Sequence, residues 1–106
     1  MGKITVLSIK DYETVGHIIL NDRGIEADGV VSYRLMNDKE HCAIYCVETD
    51  PGHEREKDKM IKYAFDDIIS AGKIPLPLCS AAKKWYEKQK MLREESKQEE
   101  VKVAGR

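Results

Sequence analysis

GKIPLPLCSAAKKWYEK, residues Gly72–Lys88, reads as a helix stop, a short strand, a cysteine where the strand ends, and a new helix. Gly72 follows an amphipathic run and suits the left-handed residue that closes a helix. Ile74, Leu76 and Leu78 recur at every second position, the period of a strand. Pro75 and Pro77 alternate with them, so both missing N–H groups fall on one side of that strand. A strand paired on both sides cannot accept this. The segment is therefore an edge strand, or one that splays from a neighbour and leaves a slot. Cys79 stands at the handover to the next helix, with Ser80 as its expected N-cap. A thiol at a strand end under a helix N-terminus is placed for chemistry. A packing thiol fits there too.

Upstream of Gly72 the apolar period is helical. Met60, Ile61, Ala64, Phe65, Ile68 and Ile69 form one stripe, expected to cover a sheet, while Glu54, Glu56 and Asp58 crowd the first turn. Further back the period is that of strands. KITVLSI (3–9), TVGHIIL (14–20), GVVSYRL (29–35) and CAIYCVET (42–49) are separated by Lys10-Asp11, by the cluster Asn21–Gly24 and by Asn37–Glu40. Short links between consecutive strands imply an antiparallel meander. Downstream, Ala82, Trp85, Tyr86 and Leu92 give a thin stripe, and EESKQEEVKVAGR has none and is expected to fray. The expected architecture is α/β (α+β), mainly antiparallel, in the order ββββαβα with a splayed last strand. It forms a single domain over 1–93, with a charged tail over 94–106.

The chain has 106 residues, 42% hydrophobic and 35% charged, with a net charge of −1, and holds one modest core. No apolar run approaches the ~20 residues of a membrane helix, and MGKITVLSIKDYE lacks the apolar centre of a signal peptide. Three cysteines at scattered spacings fit reduced thiols, so a cytoplasmic location is expected. Charge is unevenly spread. The first half is acidic, whereas residues 72–93 carry Lys73, Lys83, Lys84, Lys88, Lys90 and Arg93 against Glu87 alone. Such a patch attracts phosphate, nucleic acid or an acidic partner, although a solvated helix face is the simpler account.

The spacing of Cys42 and Cys46 imitates a metal or redox pair. In a strand they lie ~13 Å apart, too far for one zinc or one disulfide. His41 and His53 flank that strand at opposite ends, and His17 has no visible partner, so no metal site is expected. The glycines stand singly, with no phosphate-cradling loop. Trp85 and Tyr86 among lysines are a stacking surface for bases only if neither is core, and the acidic balance of the whole chain argues against nucleic acid.

The order of elements resembles that of the small YjdJ-like N-acetyltransferases of the GNAT superfamily. GVVSYRL is similar to their "A-x-I-x-Y-x" strand, Cys42–Glu48 to their fourth strand, and GKIPLPLCS to their "K-I-x-P-x-C-S" segment, with Tyr86 and Lys88 as the aromatic and lysine that follow. The resemblance spans residues 3–90. It implies a fold in which the fourth and fifth strands splay around the pantetheine arm of acetyl-CoA. On that pattern Cys79 is the catalytic residue, and Val47, Arg55 and Ser80 touch the cofactor.

The pattern breaks at the family's pyrophosphate signature, Gln/Arg-x-x-Gly-x-Gly/Ala. The matching stretch here, His53–Asp58, is HEREKD, with no glycine and three acids, leaving Gly52 and Arg55 as remnants. Carboxylates repel a diphosphate, and every Cβ narrows its approach to the backbone N–H groups. The family's histidine at the end of the fourth strand is replaced by Tyr45 or Cys46. The expectation is a pseudo-acetyltransferase: a GNAT-like scaffold that binds another macromolecule, a protein, through Lys83, Lys84 and Lys88, without cofactor or metal. The alternative is an acetyl-CoA-dependent N-acetyltransferase using Cys79. A basic-helix RNA binder is the third class.

Overall fold

Five strands form one mixed sheet in the order β1-β2-β3-β4-β5, seen in a computed structural model that describes residues 3–21 and 27–91. The strands are β1 (Lys3–Leu7), β2 (Val15–Asn21), β3 (Gly29–Leu35), β4 (His41–Thr49) and β5 (Ile74–Pro77). The first four form the expected antiparallel meander, and β5 joins β4 in parallel. The helices are α1 (Ile9–Tyr12), α2 (Glu54–Ser70) and α3 over residues 80–91. None among the described residues is long and apolar enough to cross a membrane. The expected turn at 21–24 falls mostly outside the described residues, as do Leu92, Arg93 and the 94–106 tail.

The first strand is shorter than its apolar run. It ends at Leu7, and Ile9 turns instead into the one-turn helix α1. Ser8 is the cause: its Oγ accepts the Lys10 N–H at 3.1 Å and donates to Asp67 Oδ1 at 2.6 Å. A serine that satisfies backbone in this way competes with strand pairing. Asp67 Oδ2 also accepts the Ile9 N–H at 2.9 Å and the Tyr33 hydroxyl at 2.5 Å. One carboxylate thus ties α2 to the β1–α1 corner and to the middle of the sheet. Burial, then the bond to Asp67, raises the Tyr33 phenol above its ordinary range, so it remains a donor. Tyr33 reaches Asp67 by lying across Gly16, where a Cβ would stand 2.2 Å from the ring.

The core is the sheet face under α2. Ile18, Leu20, Val31, Tyr33, Cys42 and Ile44 meet Met60, Ile61, Ala64, Phe65 and Ile68, joined by Ile9 and by Ala82 of α3. Ile69 corrects the expected stripe, for it is 56% exposed. The buried arc of α2 runs from Met60 through Ala64, Ile68 and Ile61 to Phe65, and at ~100° per residue Ile69 falls about 40° beyond Phe65. Gly72 closes α2 as expected, at φ +76°. Its N–H bonds the Ile69 carbonyl at 2.9 Å and that of Lys73 bonds Ile68 at 3.1 Å, the paired bonds of a Schellman stop.

Candidate functional site

Strand β4 changes character at Tyr45. Tyr33 of β3 faces Ile44, but Ser32 faces Cys46, so Tyr45 is an extra, bulged residue. Before the bulge β4 is paired with β3 on one side and with β5 on the other, through His41↔Ile74 to Ile44↔Pro77. After it, pairing with β5 has ended and residues 46–49 keep their β3 partners. The last bonds across the junction converge on the Ile44 carbonyl, which accepts Leu78 N–H at 3.0 Å and Cys79 N–H at 3.3 Å. On β5, Ile74 N–H likewise points to β4, bonding Glu40 at 2.8 Å. Alternation then turns the N–H positions of Pro75 and Pro77 to the open edge, as the two prolines required.

Cys79 sits at this junction, half-buried against the core. Its carbonyl accepts the Lys83 N–H at 3.0 Å, which makes Cys79 the residue that caps α3. Ser80 is therefore the first helical residue and exposed, a correction by one position. Cys46, on the unpaired half of β4, is also half-buried, and its thiol is pushed up by burial, then by Glu48 and Cys79. Cys42 is fully buried, and burial followed by Asp67 pushes it up to about 12. It is an inert thiol.

Three cavities lie elsewhere on these elements, and Cys46 and Cys79 line none of the three. The first, of about 410 Å³, lies beside the far end of β4 and is lined by Val47, Asp28, Glu48, Asp50 and Lys57 among others. Of the residues expected at a cofactor, Val47 is here, whereas Arg55 and Ser80 are exposed and line none of the three. The second, about 300 Å³, is an open groove between the start of α2 and α3. Its floor is Ile61, Ala81 and Trp85, and its rims carry Lys57, Lys84 and Lys88 against Glu54 and Asp58. Lys84 and Lys88 are thus brought together with an apolar floor, and Lys83 is exposed outside the groove. The third, about 320 Å³, lies further along the same two helices.

Two residues escaped the sequence reading. Lys57 borders both the first and second cavities, and Trp85 the second and third. A lysine in a charged first turn carries no local mark that sets it apart. Trp85 was legible as an aromatic on a thin stripe and as a candidate for base stacking, not as the wall of two cavities. Its place comes from Phe65, whose ring stacks on it at 4.8 Å between centroids, with Tyr86 at 5.7 Å on Phe65 as well.

The histidines find local partners. His17 Nδ1 lies 3.0 Å from Ser32 Oγ across the β2–β3 pair. His41 Nδ1 lies 2.6 Å from Asp38 Oδ2, while Asp38 Oδ1 accepts the N–H groups of Glu40 and His41. Asp38, Glu40 and His41 bring possible ligand atoms within 4.8 Å of one another. These bonds close a tight β3–β4 turn and pair Asp38 with His41, with the Glu40 carboxylate beside them.

No protein-family model, curated protein or solved structure matches the chain.

Proposed function

We propose that the chain is a pseudo-acetyltransferase: a scaffold resembling the small YjdJ-like GNAT enzymes that binds an acidic, amphipathic segment of a partner protein between α2 and α3. The observation that carries this reading is the second groove. Lys84 and Lys88 stand one helical turn apart on its rim, over a floor of Ile61, Ala81 and Trp85. Apolar anchors with a rim of charge are what an amphipathic segment recognises. The environment at the head of α2 supports a non-catalytic role. Glu54 and Glu56 occupy its first turn, and Asp28, Glu48 and Asp50 line the adjoining cavity, with Lys57 as the cation among its lining residues. A diphosphate placed there meets carboxylates where a coenzyme site presents N–H groups.

The junction at Tyr45 favours a second reading, acetyl-CoA-dependent N-acetyl transfer. A bulge, the end of the β4–β5 pairing and a half-buried Cys79 at a helix head are features that accompany active sites.

Two titrations decide between the readings. Calorimetry with acetyl-CoA is expected to show no binding at micromolar concentrations, since pantetheine contacts alone must offset the ordering of a long ligand. A micromolar dissociation constant, with protection of Cys79 from iodoacetamide, would replace the first reading with the second. A fluorescein-labelled peptide with Leu and Glu at helical spacing is expected to bind in a salt-sensitive manner. The charge reversals K84E and K88E together should weaken it roughly tenfold or more.

A further inference from the structure

We propose a second, separate site: the cavity between the C-terminal half of α2 and α3 binds a small flat organic anion, an aromatic carboxylate of one or two rings. The site does not depend on what the groove bearing Lys84 and Lys88 binds. Its walls are Phe65, Ile69, Pro75, Trp85 and Tyr86. Ile69 is 56% exposed and Tyr86 36%, so the apolar lining reaches the mouth. Phe65 is buried and its ring packs against both Trp85 and Tyr86, whose partly exposed rings give the cavity its flat aromatic wall. Such a wall favours a planar guest stacked on it.

Size and enclosure select a small molecule over a protein segment. The volume of about 320 Å³ is at the lower end of small-molecule sites, and this is the most enclosed of the three cavities. A helix from a partner requires an open trough, which the neighbouring groove provides.

Charge selects an anion. Lys62 and Asp66 line the cavity, and their ion pair at 3.6 Å cancels their charges. Gln89 adds a neutral amide. Lys90 leaves the lining with a net positive charge, its Nζ 5.6 Å from the Tyr86 ring centroid. A carboxylate beside that ammonium, with its ring against the aromatic wall, satisfies both parts of the site.

The probe is 2-naphthoate, with 2-naphthalenemethanol as its uncharged counterpart, titrated into ¹⁵N-labelled protein. Trp85 is the chain's single tryptophan, so its indole N–H is one resolved signal. We expect that signal to shift saturably with naphthoate, and the alcohol to bind roughly fivefold more weakly or worse. K90E should weaken naphthoate roughly tenfold, and I69E should abolish binding. K88E, which changes a residue on the other groove beside Trp85, should leave it unaltered. Ile69 and Lys90 are exposed, and unchanged dispersion of the amide spectrum verifies that both variants fold. Absence of a saturable shift, equal binding of acid and alcohol, or equal losses in K88E and K90E would each overturn the proposal.

Discussion

The two halves of β4 are one strand under two regimes. From His41 to Ile44 it is held on both sides and contributes Cys42, Ala43 and Ile44 to the interior. From Cys46 to Thr49 it is held by β3 alone, and its residues are half-buried or exposed. The switch takes one inserted residue, Tyr45, and the end of β5 at Pro77. The lesson is that burial and exposure divide along a single strand. The doubly paired half is built into the core. The singly paired half keeps one edge without a strand partner among the described residues.

The largest expected effect tests whether the closed half depends on its cover. Phe65 is buried at the centre of α2 and stacks on both aromatic residues of α3. Phe65→Ala should cost about 3–5 kcal/mol, a large share of a small domain's stability. Denaturant unfolding checks it, and a loss within error would mean that α2 does not seal the core.

A paired comparison within β4 is sharper. Ile44→Ala, at a fully buried position, should cost about 2–4 kcal/mol. Val47→Ala, half-buried beyond the bulge, should cost about 1 kcal/mol or less. Equal losses, measured by the same unfolding experiment, would erase the distinction between the halves.

The smallest effect concerns how β4 begins. Asp38 is held down to about 2, from an ordinary value of 3.8, by the His41 N–H first, then the Glu40 N–H and the His41 ring. Because the folded value is the lower one, this contribution is complete above the ordinary value. It is lost as pH falls through about 2. Following the Asp38 carboxyl by NMR from pH 5 downward should therefore show a depressed midpoint and, below it, faster exchange of the Glu40 and His41 amides. A midpoint at the ordinary value would remove the turn as an anchor for the closed half.

Much of this architecture is written locally. Alternating Val31, Tyr33 and Leu35 mark β3, because a strand's period is fixed by its own backbone. Pro75 and Pro77 limited β5 to an edge or a splayed strand before any neighbour was known, since a missing N–H is a property of the residue itself, and the sheet order makes it an edge. Gly72 ended α2 for the same kind of reason. Lys84 and Lys88, singled out by charge alone, do share a groove.

What was not legible depends on residues far apart in the chain. Ser8 and Asp67, 59 positions apart, decide that β1 stops at Leu7. The bulge at Tyr45 exists only relative to β3, because an extra residue has no meaning until a partner sets the register. Ile69 left the core once the sheet fixed which arc of α2 is covered. Cys79 rather than Ser80 became the cap because the strand-to-helix handover follows the bonds made by Ile44. The cavities beside Trp85 lie between elements, so no single stretch encodes them. The sequence by itself determined the four-strand meander, the long helix α2 and the proline-bearing strand that follows it. Tertiary structure alone decided where the pairing of β4 with β5 ends, which thiol is fully buried and which side chains share a pocket, since those follow from packing between segments and not from the propensity of any one of them.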